Sequence, residues 1–276
     1  MMVGTVFCFV VMDAMAKYLM RDYPVPQVVW GRYAFHLAAI VVVLAPRRRL
    51  WFRTRRLGLQ LFRSMVLLLA TVLFFTALSY MPLADASALI YVSPLLVTAL
   101  SVPILGERVG PRRWTAVVIG FIGTLVIVRP GAGVMHPAAF LVLGTALCFA
   151  IYQITTRVLS TTENALTTLF YTAAAGALCT TLALPFFWTP PSAFAWALMA
   201  GVGLVGAFGH FLMIQAYQRA SVSGLAPYLY TQLIWAVIFG YLVFADLPDA
   251  WTIAGAAVIT ASGLLVFYRG SRLAGR

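Results

Sequence analysis

Ten predominantly apolar stretches follow one another along the chain, at roughly 3–20, 28–45, 59–79, 84–105, 114–128, 138–158, 166–187, 193–217, 224–244 and 251–268. Most approach the ~20 residues that a helix rising 1.5 Å per residue needs to cross about 30 Å of hydrocarbon. The connections are short, and a helix satisfies its own backbone donors and acceptors within lipid. The pattern predicts an all-α integral membrane protein with ten transmembrane helices.

One stretch sets the type for the rest. Ala86 to Arg108 is apolar, is interrupted by Pro94 and Pro103, and closes on Gly106-Glu107-Arg108. Gly224 to Asp246 repeats the design with Pro227 inside and Ala245-Asp246 at the end, so the two acids stand 246 − 107 = 139 residues apart. Cys8-Phe9 matches Cys148-Phe149, Lys17 matches Arg157 and Leu19 matches Leu159 at an offset of 140, and Tyr91 matches Tyr230 at 139. The chain therefore divides into 1–135 (helices 1–5) and 136–276 (helices 6–10). Five is odd, so the second half is expected to sit upside down relative to the first. Inverted repeats of this kind mark secondary transporters, with substrate held near the midplane between the halves. An old duplication without a transport role is the alternative.

Composition agrees with the membrane reading. The chain is 63% hydrophobic and 9% charged with a mean hydropathy of +0.96, against about 25% charged residues in soluble domains. A net charge of +12 would suggest nucleic acid in a soluble protein, but here the arginines fall in the gaps. With the N-terminus in the cytoplasm, the inner connections hold Arg47, Arg48, Arg49, Arg53, Arg55, Arg56, Arg63, Arg108, Arg112, Arg113, Arg157, Arg219, Arg269, Arg272 and Arg276. Only Arg21 and Arg129 fall outside, while Lys17 and Arg32 lie within helices. The positive-inside rule thus places both termini in the cytoplasm of an inner (plasma) membrane. The 47–56 cluster has a second use open to it, the binding of anionic lipid. Cys8, Cys148 and Cys179 sit in apolar runs without metal-ligand spacing, and the first run, carrying Asp13 and Lys17, is a membrane helix rather than a secretory signal.

Ionisable groups inside a span are costly and are read first as functional. Asp13 and Lys17 are four apart on the first helix, and Arg32 and His36 four apart on the second. Folding about Pro24-Val25 sets Lys17 level with Arg32 and Asp13 level with His36. Facing inward, the four form a cluster able to hold a substrate carboxylate or exchange a proton. The blander reading is an Asp13–Lys17 structural pair with Arg32 reaching for the interface. The second half offers Gln153, in the place of Asp13, then His210, Gln215, Tyr228, Tyr230, Gln232 and Trp235; Tyr91 adds a hydroxyl from the fourth span. Aromatics with polar tips beside amides suit a planar or amino-acid-like ligand, and interhelical bonding or filler is the alternative for each. Pro94, Pro103 and Pro227 free carbonyls beside a cavity or merely kink their helices. Gly120-x-x-Gly123 and Gly201, Gly203, Gly206 and Gly209 permit close helix approach, and Gly106-Glu107-Arg108 reads as a helix stop with Glu107 paired to an arginine.

No catalytic residue, metal site or cofactor is expected. No Gly-rich loop followed by Lys-Ser/Thr is present, so no ATPase subunit is implied. Ser223-Gly224 with His210 keeps an intramembrane hydrolase in view, but Ser221 occupies the place where that motif needs glycine. A non-transporting scaffold lacks the soluble domain it would use. The partners expected are a small-molecule substrate and the lipid bilayer, with no nucleic acid.

Pro94-Leu95-Leu96, Gly106-Glu107-Arg108, Trp114 and Gly120-x-x-Gly123, in that order, resemble the EamA repeat of the drug/metabolite transporter superfamily. The second copy departs from the pattern, with Ala245-Asp246 for Gly-Glu and no proline matching Pro94. Asp13-Ala-Met-Ala-Lys17-Tyr-Leu and Ala226-Pro227-Tyr228-x-Tyr230 look like the branch containing S-adenosylmethionine permeases. The resemblance implies ten helices, cytoplasmic termini, a central cavity between inverted halves, and alternating access without ATP. It carries Asp13, Lys17, Tyr228 and Tyr230 into the cavity. Export of a metabolite or drug by the same fold is the alternative direction.

Overall fold

A computed structural model describes residues 1–44, 54–105, 110–129, 137–220, 225, 228–229 and 231–274. Among them the ordered elements are helices: α1 (Met2–Leu19), α2 (Val25–Leu44), α3 (Leu57–Leu78), α4 (Leu83–Ile90), α5 (Val92–Leu105), α6 (Pro111–Val128), α7 (Ala138–Ser160), α8 (Ala165–Ala183) with a 3₁₀ turn at Leu184–Phe186, α9 (Ala193–Arg219), α10 (Thr231–Phe244) and α11 (Ala250–Ala274). Seven segments are long and apolar enough to cross a membrane, the fourth made of α4 and α5 together. Shorter apolar helical stretches at Val118–Val128, Thr231–Phe244 and Ala250–Ser262 fall on the remaining three runs of the sequence. The protein is an all-helical, multi-pass membrane protein. Glu107, Pro227 and Tyr230 lie outside the described residues.

Helix ends follow local chemistry. The Asn164 side chain accepts the Leu166 N–H at 2.8 Å and Ser192 Oγ accepts from Ala195 at 3.1 Å, satisfying orphan donors at the starts of α8 and α9. Pro111 opens α6, where its missing N–H costs nothing. Pro94 acts differently. It has no N–H to offer the Ile90 carbonyl four residues back, and the helix divides at Tyr91 between α4 and α5. By contrast α5 continues through Pro103. Ala245 ends α10 with φ 57°, a left-handed conformation that turns Asp246 back toward the bundle.

The contacts fix how the helices run past one another. On the α1–α9 seam Met15 meets Gly201, Met12 meets Gly206 and Phe9 meets Gly209, so the two helices are antiparallel. Gly31 meets Met199 and Phe35 meets Gly203, so α2 runs parallel to α9. Trp30 with Thr181 and Tyr33 with Gly176 make α2 and α8 antiparallel. Gln60 with Thr168 and Arg63 with Thr172 make α3 parallel to α8, while Arg63 with Thr156 and Leu73 with Gly144 make it antiparallel to α7. Following these pairings, α7, α8 and α9 run opposite to α1, α2 and α3 respectively. The most extensive seams are α6–α11, α1–α9 and α3–α7.

Small residues make the seams possible. A Cβ added at Gly203 would lie 2.5 Å from Phe35 Cβ and 2.9 Å from the His36 backbone nitrogen, and one at Gly206 would lie 2.8 Å from Met12 Sδ. At the α6–α11 seam a Cβ on Gly123 would come within 2.9 Å of the Gly255 carbonyl. Backbones approach this closely because no side chain intervenes, the packing mode that membranes favour. Gly203→Ala is expected to lower stability by about 1–3 kcal/mol, the usual cost of overpacking a tight contact. Gly58→Ala, where the added methyl meets nothing within 4 Å, should leave the unfolding midpoint in detergent unchanged or slightly raised.

Candidate functional site

A cavity opens between α1, α2, α3, the α4–α5 break, α7, α9 and the start of α10. Its polar wall is Asp13, Arg32, Thr71, Ser93, Gln153, His210 and Gln232, and its aromatic wall includes Phe9, Phe74, Phe75, Tyr91 and Phe149. Ile90, Tyr91 and Ser93 bring the broken fourth span to the cavity surface. The break caused by Pro94 therefore exposes irregular backbone where it borders a void, as membrane interiors require.

Asp13 and Arg32 are each 4% exposed, a carboxyl group and a guanidinium sharing one cavity. They do not pair. The ion pairs within 4.0 Å among the described residues are Lys17–Asp246 and Arg129–Asp249. Arg32 is held instead by neutral groups: Nη1 donates to Thr71 Oγ1, and Nη2 lies 3.0 Å from His210 Nε2. Its Nε is buried without a hydrogen-bond partner. The side chain is long enough to explain this reach. Its backbone carbonyl borders Gly203, yet its tip meets His210, seven residues further along α9. Across the cavity, Gln153 Nε2 donates to Ser93 Oγ at 3.1 Å, and Tyr217 donates to Gln153 Oε1 at 2.7 Å. Gln153 therefore faces the same space as Asp13, its counterpart in the first half.

Six residues singled out by the sequence thus line one cavity: Asp13, Arg32, Tyr91, Gln153, His210 and Gln232. His36 stands just behind them, stacked on His210 with ring centroids 6.2 Å apart, its buried Nε2 without a partner. Arg32 does not reach for the interface, and Asp13 does not pair with Lys17. Lys17 has the expected depth but turns away from the cavity: Nζ donates to the Met81 carbonyl at 2.8 Å and lies 3.6 Å from Asp246. Gln215 accepts from Arg219 at 2.6 Å near the end of α9, and Tyr228 is 48% exposed; neither lines the cavity. Trp235 packs edge-on against Phe7 at 5.0 Å, also outside the lining.

Arg63 is the largest correction. Counted with the connections by charge pattern, it lies inside α3 with no exposed surface, bonded to Thr156, Thr172 and Tyr152. Thr71 and Tyr152, which hold the charged groups in place, carry no charge and leave no mark in a charge-based reading. Their signal is hydroxyl residues recurring on the apolar faces of α3 and α7.

Where α6 ends and α11 begins, Arg129 pairs with Asp249, whose Oδ1 also accepts the Thr252 N–H at 2.7 Å. Partial burial works to raise the Asp249 pKa, but these bonds outweigh it and hold the group below the ordinary carboxylate value. The Lys17–Asp246 pair is partly solvated at 15% and 38% side-chain exposure. Lys17→Met and Asp246→Asn should each cost less than about 1 kcal/mol in thermal unfolding. The double variant should cost no more than the larger single effect, as a double-mutant cycle would show.

Residues 1–129 and 136–268 each match the model of the EamA-like transporter family. The chain is 27% identical to the S-adenosylmethionine uptake transporter of Rickettsia prowazekii, over 93% of this chain and 87% of that one. It is 30% identical to the riboflavin transporter of Vibrio cholerae over 92% and 87%. It is 28% identical to the pseudopaline exporter CntI of Pseudomonas aeruginosa over 92% and 89%. A solved crystal structure superposes with a TM-score of 0.69 over 98% of this chain and 97% of the other at 20% identity, a likeness of fold alone.

Proposed function

The chain belongs to the EamA-like transporter family and is a transporter of small metabolites rather than an enzyme; on that premise we propose that it is a secondary transporter working by alternating access. In this reading ten spans form two inverted five-helix halves, 1–135 and 136–276, with both termini in the cytoplasm of the inner membrane. The opposite directions of α1–α3 and α7–α9 support the inversion. The two matches to one family model, one in each half, support the division. The halves rock about the central cavity, opening it to one side at a time, and a gradient or counter-substrate sets the direction.

One observation carries the substrate class: Asp13 and Arg32 face one cavity and are held apart. In a low-dielectric interior opposite charges attract strongly, so an unpaired set presented to a void is poised for a ligand that carries both signs. The substrate has a carboxylate for Arg32 and a cationic group for Asp13, with a flat or apolar body against Phe9, Phe74, Phe75 and Phe149. S-adenosylmethionine fits that description, as do aromatic amino acids; riboflavin, which fits only the aromatic wall, is the second candidate through its transporter in Vibrio cholerae.

Uptake of S-adenosylmethionine, L-tyrosine, tyramine, 3-(4-hydroxyphenyl)propionate and riboflavin into proteoliposomes tests this. A zwitterion should be taken up saturably and in preference to its single-charge analogues. Asp13→Asn and Arg32→Gln should each lower its initial rate by about tenfold or more, the value of a lost charge-assisted bond. Unchanged rates in both variants, with the fold intact, would overturn the assignment of the site. Preference for riboflavin or for a single-charge analogue would overturn the substrate class alone.

A further inference from the structure

The cavity accounts for Arg32 but not for Arg63, which touches none of it. Arg63 has no exposed surface and no carboxylate partner among the described residues. A guanidinium buried without a counter-ion carries a large desolvation penalty. Here it is met wholly by neutral acceptors: Nε to Thr156 Oγ1 at 2.7 Å, Nη1 to Thr172 Oγ1 at 2.6 Å and Nη2 to the Tyr152 hydroxyl at 2.7 Å. Apolar filler would pack α3 against α7 and α8 without that penalty.

The bonds beyond Tyr152 lead to the substrate site. The Tyr152 hydroxyl lies 3.0 Å from His210 Nδ1, and His210 Nε2 lies 3.0 Å from Arg32 Nη2. Arginine only donates, which settles the direction at both ends of this path. Nε2 must accept from Arg32, so His210 is neutral and its proton is on Nδ1, where it is donated to Tyr152. The tyrosine oxygen then receives two donors, Nδ1–H from one side and Arg63 Nη2 from the other. Arg32 also reaches Thr71 on α3, the helix that carries Arg63, so the bonds close a ring through α3, α7, α9 and α2.

We propose that Arg63 is a positioning residue of the substrate site: it fixes the Tyr152 oxygen, through Tyr152 the orientation of the His210 ring, and through His210 the placement of the Arg32 charge in the cavity. Without the cation behind it, Tyr152 is free to rotate its hydroxyl. His210 then has no fixed acceptor at Nδ1, so the bond from Arg32 alone orients the ring, and ring and guanidinium are free to shift together. The inference rests on the reading of the cavity as the transport site for its consequence, but its central element, the bond from His210 Nδ1–H to Tyr152, is a property of the unliganded protein.

The chain has three histidines, His36, His136 and His210, so protein labelled with ¹⁵N-histidine in detergent gives a spectrum simple enough to assign with His210→Gln. The wild type should show His210 protonated on Nδ1. Arg63→Met should keep the Nδ1–H tautomer that Arg32 imposes but weaken its bond to Tyr152, moving the Nδ1–H proton resonance upfield and speeding its exchange with solvent. Tyr152→Phe, which removes one oxygen and keeps the ring, should do the same and serves where the arginine variant does not fold. A folded variant of either kind whose Nδ1–H shift and exchange rate match the wild type overturns the proposal. In proteoliposomes both variants should raise the KM of the zwitterion by about tenfold with little change in maximal rate, and the double variant should be no worse than either alone. Equal stability losses with unchanged KM would mark Arg63 as packing only and overturn it also. Saturable wild-type uptake is scored separately, so a failure of the transport reading cannot be mistaken for a failure of the ring.

Discussion

A guanidinium suspended between neutral groups, within sight of a carboxyl group it does not touch, is the arrangement on which the rest of this bundle depends. Attraction between Arg32 and Asp13 would draw them together unless something stiffer kept them apart. Thr71 and His210 supply that stiffness by taking both terminal nitrogens of Arg32. His210 is in turn braced by Tyr152. The polar arrangement relies on the glycine face of α9, because Gly203 and Gly206 let α2 and α1 approach until His210 comes within reach of Arg32. Packing thus sets the electrostatics.

Much of the fold was legible because hydrocarbon thickness and backbone satisfaction leave few options. Every described helix falls on one of the ten apolar runs, and the helix division at Tyr91 follows from the absent N–H of Pro94. Depth was legible too. Asp13 and His36 lie at neighbouring levels of α9, through Met12 at Gly206 and the His36 backbone at Gly203. Rotation was not, since a count of residues from a turn says nothing about azimuth. Lys17 was therefore placed in the cluster when its stem leads out to Met81 and Asp246.

Arg63 was misread for a different reason. It lies one turn into an apolar run that follows several arginines, so charge counting assigned it to the loop. Its partners are two threonines and a tyrosine, residues that look like ordinary membrane filler in a sequence. Solvating a cation with hydroxyl groups leaves no charge pattern to detect, and only the three-dimensional convergence of α3, α7 and α8 makes it visible. Tyr217 is a parallel case, noticeable only once it is seen to hold Gln153.

The two segments that match the family model do not carry the same side chains. Gln153 stands where the first half has Asp13, and Leu233 stands where it has Pro94, 139 residues earlier. Exchanging the halves would therefore return a different molecule. In a rocking mechanism such an exchange converts one open state into the other, so nothing forces the inward-open and outward-open forms to be equal in energy. Under the proposed mechanism the chain itself can set the resting population, before any gradient is imposed.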